Sequence, residues 1–194
     1  MNQVYPVSKD VIKKAMVILG KSRHAGRNQL MLSFMLSVPL RVSDVVSLKV
    51  EDVYNKKGFK LLQQKTGSKT GKKIDVIIPK QIQQLIKNHV DKSKLRKNQF
   101  LFTSQKGGKL TTRQVYEIIN PALKKAGAKE AVGCHSTRKT WAVTALEQYG
   151  PDAIPWISRM LGHTSIENTR YYLHLTQDQD RTMIEDMPVY MPEL

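Results

Sequence analysis

At 194 residues the chain has the length of one domain, or of one domain with a short appendage, and is long enough to bury a real core. Its 32 Lys and Arg against 16 Asp and Glu leave a net charge of +16, which points past mere solubility to a polyanionic partner, nucleic acid or an acidic membrane surface. The single cysteine, Cys134, excludes an intramolecular disulfide and a cysteine-rich zinc site; the start does not read as a secretory signal, and the longest apolar stretch, Leu30 to Leu40, is too short to span a bilayer, all of which fits a reducing cytoplasm.

Apolar residues at helical spacing predict a first helix over Asp10 to Lys21, capped by Ser8 or Asp10. A short basic loop, Gly20 to Gly26, leads to a mostly buried helix over Arg27 to Val38, which Pro39 stops; another helix is expected from Ser43 to about Leu48. Character changes after Val53. Large apolar and β-branched residues predict strands over Phe59 to Gln64 and Lys73 to Pro79, joined by the turn-forming Lys65-Thr66-Gly67-Ser68-Lys69-Thr70-Gly71-Lys72 into a hairpin with a basic tip. Helices follow over Pro79 to Val90, Arg113 to Ala126, Ser136 to Tyr149, Ile154 to Leu161 and Ser165 to His174. The tail from Thr176 to Leu194 reads as a short helix and an extended, partly apolar end that docks on its own core or on a neighbour, or stays disordered. The expected class is α+β, mainly α-helical with one small antiparallel β-sheet.

Several short segments carry side chains suited to a phosphate ester. Arg41 and Asp44 stand three apart, on one face of a helix, so Asp44 can orient the guanidinium; a surface ion pair is the plainer alternative. His135 and Arg138 have the same spacing, a proton-handling imidazole beside a planar cation that pairs bidentately with phosphate oxygens. His163 follows Leu161-Gly162 at a turn, where it also reads as a helix cap. Tyr171 and Tyr172 are adjacent, and helical phase does not choose between them: with Ile166 and Leu173 facing the core, they lie to either side of that stripe. Lys65 and Lys69 sit in duplicate Lys-Thr-Gly contexts, and either ammonium can donate a proton from a hairpin tip or simply bind a phosphate.

In order and spacing these segments resemble the tyrosine recombinase (phage integrase) family, over about residues 4 to 175. The segment Leu40-Arg41-Val42-Ser43-Asp44 is similar to its first arginine box, although Val38-Pro39 stands where Thr-Gly is usual. His135-Ser136-Thr137-Arg138 is similar to the second box, and Leu161-Gly162-His163 is the most family-specific tripeptide. The resemblance implies the fold of that family's catalytic domain over residues 1–175, with 1–24 only an arm and first helix rather than a full core-binding domain, and 176–194 as a tail that reaches a neighbouring subunit. It implies that Arg41, His135, Arg138 and His163 hold a scissile DNA phosphate, that the nucleophile nine residues after His163 is Tyr172 rather than Tyr171, and that Lys65, with Lys69 as alternative, protonates the leaving oxygen. Lys72, Lys73 and Lys139 are expected to contact the DNA backbone, which gives salt-dependent affinity without reading sequence. No metal and no cofactor is implied. The implied partners are double-stranded recombination sites, bound by a homotetramer on synapsed DNA from chains that are monomers in solution. The implied setting is a bacterial or phage-encoded, nucleoid-associated protein of the cytoplasm.

Three other readings compete. Ile154 to Leu161, the Gly162 turn and Ser165 to His174 form a candidate helix-turn-helix in a non-catalytic DNA-binding module. A type IB topoisomerase-like enzyme would nick and reseal with the same residues. A thiol hydrolase would use Cys134, although the adjacent His135 should point away from it.

Overall fold

The computed structural model describes residues 5–62, 73–129 and 132–173. Helix α1 (Lys9–Gly20) starts where the Ser8 hydroxyl accepts the Val11 amide, as the capping pattern predicts. Helix α2 (Ala25–Ser37) is buried on most sides, with Leu30, Met31, Phe34 and Met35 in the centre of the larger core. It begins two residues earlier than the apolar pattern suggests, and Arg27 in its first turn is itself buried, donating to the Thr103 carbonyl at 2.7 Å and to the Asn28 side chain.

The helix expected over 43–48 is shorter, α3 (Val42–Val45), and a second short helix that was not expected, α4 (Val50–Val53), follows it. Between them the backbone pairs with a distant segment, Leu101 donating to the Leu48 carbonyl at 2.9 Å, while Asp52 accepts the Lys49 amide at 2.8 Å and starts the second helix. Strands β1 (Gly58–Leu62) and β2 (Lys73–Ile77) pair antiparallel with Gly58 opposite Ile77. The basic tip between them, with Lys65, Lys69 and Lys72, lies outside the described residues. Next come α5 (Lys80–Ser93) and α6 (Thr112–Lys125), then α7 (Cys134–Tyr149), a 3-10 turn (Pro151–Ala153), α8 (Ile154–Leu161) and α9 (Ile166–Leu173). The class is therefore the expected one, mostly helical with a small two-stranded sheet.

Two apolar cores matter for the site. The larger is organised by α2 against α1, α5, α6 and α7. The smaller gathers Ala142, Ala145, Ala153, Ile157, Leu161 and Leu173 under α7, α8 and α9. Helix α7 joins both, so its first turns lie at the seam. Among the described residues no helix is long and apolar enough to cross a membrane.

Candidate active site

Each candidate side chain leaves the backbone at a place local sequence dictates. Arg41 is the N-cap of α3, and its carbonyl accepts the amides of Asp44 at 2.9 Å and Val45 at 3.0 Å. The start of α7 is held from α6: the Asn120 side chain accepts the Cys134 amide at 2.9 Å, and a Cβ on Gly133 would come within 3.1 Å of that same amide group. Ser136 caps the turn by accepting the Gly133 amide. The carboxyl end of α8 is a glycine turn. Gly162 has φ 61° and ψ 40°, and the His163 amide donates to the Ser158 carbonyl, a 6→1 bond that ends the helix and turns His163 back towards α7.

Arg138 is the hub. Its guanidinium donates to the Pro39 carbonyl at 2.8 Å, two residues before Arg41, and to the Leu161 carbonyl, two residues before His163. One side chain thus ties the approach to Arg41 to the approach to His163. Burial, and next the charge of Arg41, bring the Arg138 pKa down to about 10, with Tyr172 and the buried Asp44 opposing. It stays charged at neutral pH. Two guanidinium groups close enough to repel each other make a place that an anion stabilises.

His163 and Tyr172 complete the cluster, with ring centroids 5.5 Å apart and planes nearly perpendicular. Burial first, then Arg138 and Arg41, lower the His163 pKa to about 4, so the imidazole is neutral at neutral pH. Its Nδ1 lies 2.7 Å from the Thr169 hydroxyl, which leaves Nε2 for a substrate. Burial pushes the Tyr172 phenol up to about 12, while Arg138 opposes through its charge and a hydrogen bond.

Helix α9 does not present the stripe expected of it. Ile166 is 46% exposed, and the buried positions are Thr169 and Leu173. Rotating the face in this way brings Tyr172 inward and leaves Tyr171 74% exposed. The structure thus brings Arg41, Asp44, Arg138, His163 and Tyr172 together. His135 stands at the exposed edge, stacked on Tyr116 with its Nδ1 3.4 Å from the phenol oxygen. Lys73 is exposed at the start of β2.

Lys139 corrects its expectation. It is not among the surface lysines that meet a DNA backbone: it is 2% exposed, and its Nζ donates to the Tyr172 carbonyl. On α7 it follows Arg138 by one residue and turns into the smaller core. The thiol reading also fails. Cys134 is buried, its Sγ faces the Val115 carbonyl, and burial pushes the thiol up to about 12, far from a thiolate. Among the described residues no group of His, Cys, Asp and Glu is placed to hold a metal ion.

Sequence reasoning missed Thr169, Tyr116, Asn120 and the two carbonyls that seat Arg138. A threonine three residues before Tyr172 on the same helix face was the one available signal; the others are contacts between segments distant in sequence.

Residues 7–179 match the profile of the Phage integrase family. The chain belongs to that family. Among curated members it is 29% identical over 189 residues to tyrosine recombinase XerD of Oceanobacillus iheyensis, covering 92% of this chain and 60% of that protein. It therefore spans about three-fifths of the length of this integrase-family relative. The crystal structure of XerA recombinase superposes with a TM-score of 0.72 at 24% identity, covering 98% of this chain and 66% of that one. XerH site-specific recombinase, in a post-cleavage complex with a palindromic difH substrate, gives a TM-score of 0.70 at 21% identity, covering 94% and 53%. At those identities the two structures establish the fold, that of a tyrosine recombinase catalytic domain.

Proposed function

We propose that this chain is the catalytic domain of a site-specific recombinase that cuts and rejoins double-stranded DNA through a covalent 3′-phosphotyrosine. Arg41, Arg138, His163 and His135 hold the scissile phosphate, and Tyr172 attacks it. The Tyr172 oxygen–phosphorus bond forms as the bond from phosphorus to the 5′ oxygen breaks, and Lys65, with Lys69 as the alternative, gives that oxygen its proton. The 5′-hydroxyl of a partner strand reverses the step. A phenol raised to about 12 does not ionise by itself near pH 7, so its proton passes as it attacks to the neutral His163 imidazole beside it, and the Arg138 charge favours that step. The assembly is a homotetramer on two duplexes, and the tail 176–194, outside the described residues, reaches a neighbouring subunit. A nucleoid-associated bacterial or phage-encoded protein is the corresponding setting.

What most supports this reading is the convergence of Tyr172 and His163 on a guanidinium pair from α3 and α7, segments about a hundred residues apart in the chain. The family membership and the DNA substrate in the XerH complex agree with it. The test is covalent trapping, without metal, on nicked duplexes drawn from the flanks of the gene and from a randomised pool. A Tyr172-linked adduct that Tyr172→Phe abolishes, with DNA binding retained, is the expected result. Tight, salt-sensitive binding with no adduct would favour a binding module instead, and an adduct that survives Tyr172→Phe but not Tyr171→Phe would overturn the choice of nucleophile.

A further inference from the structure

Helix α9 carries Tyr172, and its described residues, Ile166–Leu173, bury Thr169 and Leu173. Most helical stability in a folded chain comes from tertiary packing, so the placement of Tyr172 depends on what α9 docks against. Tyr172 is the last but one of the described residues of this helix. Its carbonyl accepts from the Lys139 Nζ, and the same ammonium lies 4.8 Å from the centroid of the Tyr172 ring.

We infer that Lys139 is a positioning residue for the nucleophile, a buried clamp that holds the Tyr172 backbone and ring against α7. An ammonium is a stronger donor to a carbonyl than a neutral amine, and over an aromatic face it is favoured by the ring quadrupole, so both contacts favour the charged form. Among the described residues no carboxylate lies within ion-pair distance of this lysine. Among the described residues no counter-ion offsets its burial, and desolvation lowers its pKa to about 8. A lysine kept only to fill the smaller core would be better replaced by an apolar chain of equal length. Because Arg138 and Lys139 are consecutive on α7, one helix turn seats both the phosphate-facing guanidinium and the tyrosine. The inference rests on the proposed role of Tyr172, and its test separates the two.

The test compares Lys139→Met and Lys139→Arg with the parent chain, by hydrogen–deuterium exchange and by adduct formation on nicked duplex. In Lys139→Met, α9 amides should exchange about tenfold faster than in the parent, the change expected from one lost charge-assisted hydrogen bond. Amides of α2 should be unchanged or slower, since a buried uncompensated charge is gone. Lys139→Arg should restore part of the α9 protection. The Lys139→Met adduct rate should fall by a similar factor at unchanged DNA affinity. Exchange in α9 that only tracks α2 overturns the clamp, as does an unchanged adduct rate. Failure of the parent chain to form a Tyr172 adduct overturns the proposed function instead, and leaves the exchange result to decide whether Lys139 holds the helix.

Discussion

Thr169→Val isolates the contribution of one hydroxyl to the candidate site. Thr169 is fully buried at 0% exposure, and its hydroxyl sits 2.7 Å from Nδ1 of His163. Valine keeps the shape and removes the partner, leaving a half-buried ring nitrogen unsatisfied. That costs about 1–2 kcal/mol, at the lower end for a stranded polar group because part of the ring meets solvent. For a chain of this length such a loss lowers Tm by about 2–8 °C. The effect on chemistry should be larger than on stability. The His163 ring has no other fixed contact to choose its tautomer among the bonds the structure shows, so Nε2 is no longer held towards the phosphate; misplacing a catalytic group in this way costs about 10- to 100-fold. The assay is single-turnover adduct formation on a nicked duplex at saturating protein, alongside a binding isotherm. The expected result is a slower adduct at unchanged affinity. An unchanged adduct rate, or a loss wholly explained by weaker binding, would refute the assignment of Thr169 as the residue that orients His163.

Three further outcomes are expected. Gly162→Ala should destabilise the chain by about 1–2 kcal/mol, because φ 61° is a left-handed conformation that a Cβ opposes, and thermal melting should show Gly162→Asn to be milder. His163 has a folded pKa near 4 against 6.5 for a free imidazole, so between those values the unfolded chain binds a proton that the folded one refuses. Stability from this group is complete above pH 6.5 and declines as pH falls towards 4; Tm measured against pH should show a shallower acid decline in His163→Gln than in the parent. Finally, Lys65→Ala and Lys69→Ala should part company on a 5′-thio substrate: the better leaving group rescues loss of the true proton donor and not loss of a lysine that only binds phosphate.

The helical and strand segments were legible because each rests on local chemistry. Ser8 caps α1 through its own hydroxyl, Gly162 ends α8 because glycine tolerates positive φ, and the large apolar and β-branched residues of β1 and β2 pair antiparallel. The order of Arg41, His135, Arg138, His163 and Tyr172 was equally plain, since chain order and spacing are properties of sequence. Geometry was not. The helix expected over 43–48 stops at Val45, and Leu48 bonds instead to Leu101, a partner no local pattern reveals. The buried face of α9 turns from Ile166 to Thr169 because the small core beneath it accepts Leu173 while the His163 imidazole takes the Thr169 hydroxyl. Lys139 looked like any surface lysine, because burial of a cation depends on packing around it and leaves no trace in its neighbours. The residue types and their spacing thus determined which chemistry this chain is equipped for. Tertiary structure alone decided how the buried face of α9 turns Tyr172 inward, how Arg138 joins two distant segments, and where Lys139 spends its charge, because each depends on contacts between parts of the chain that only the fold brings together.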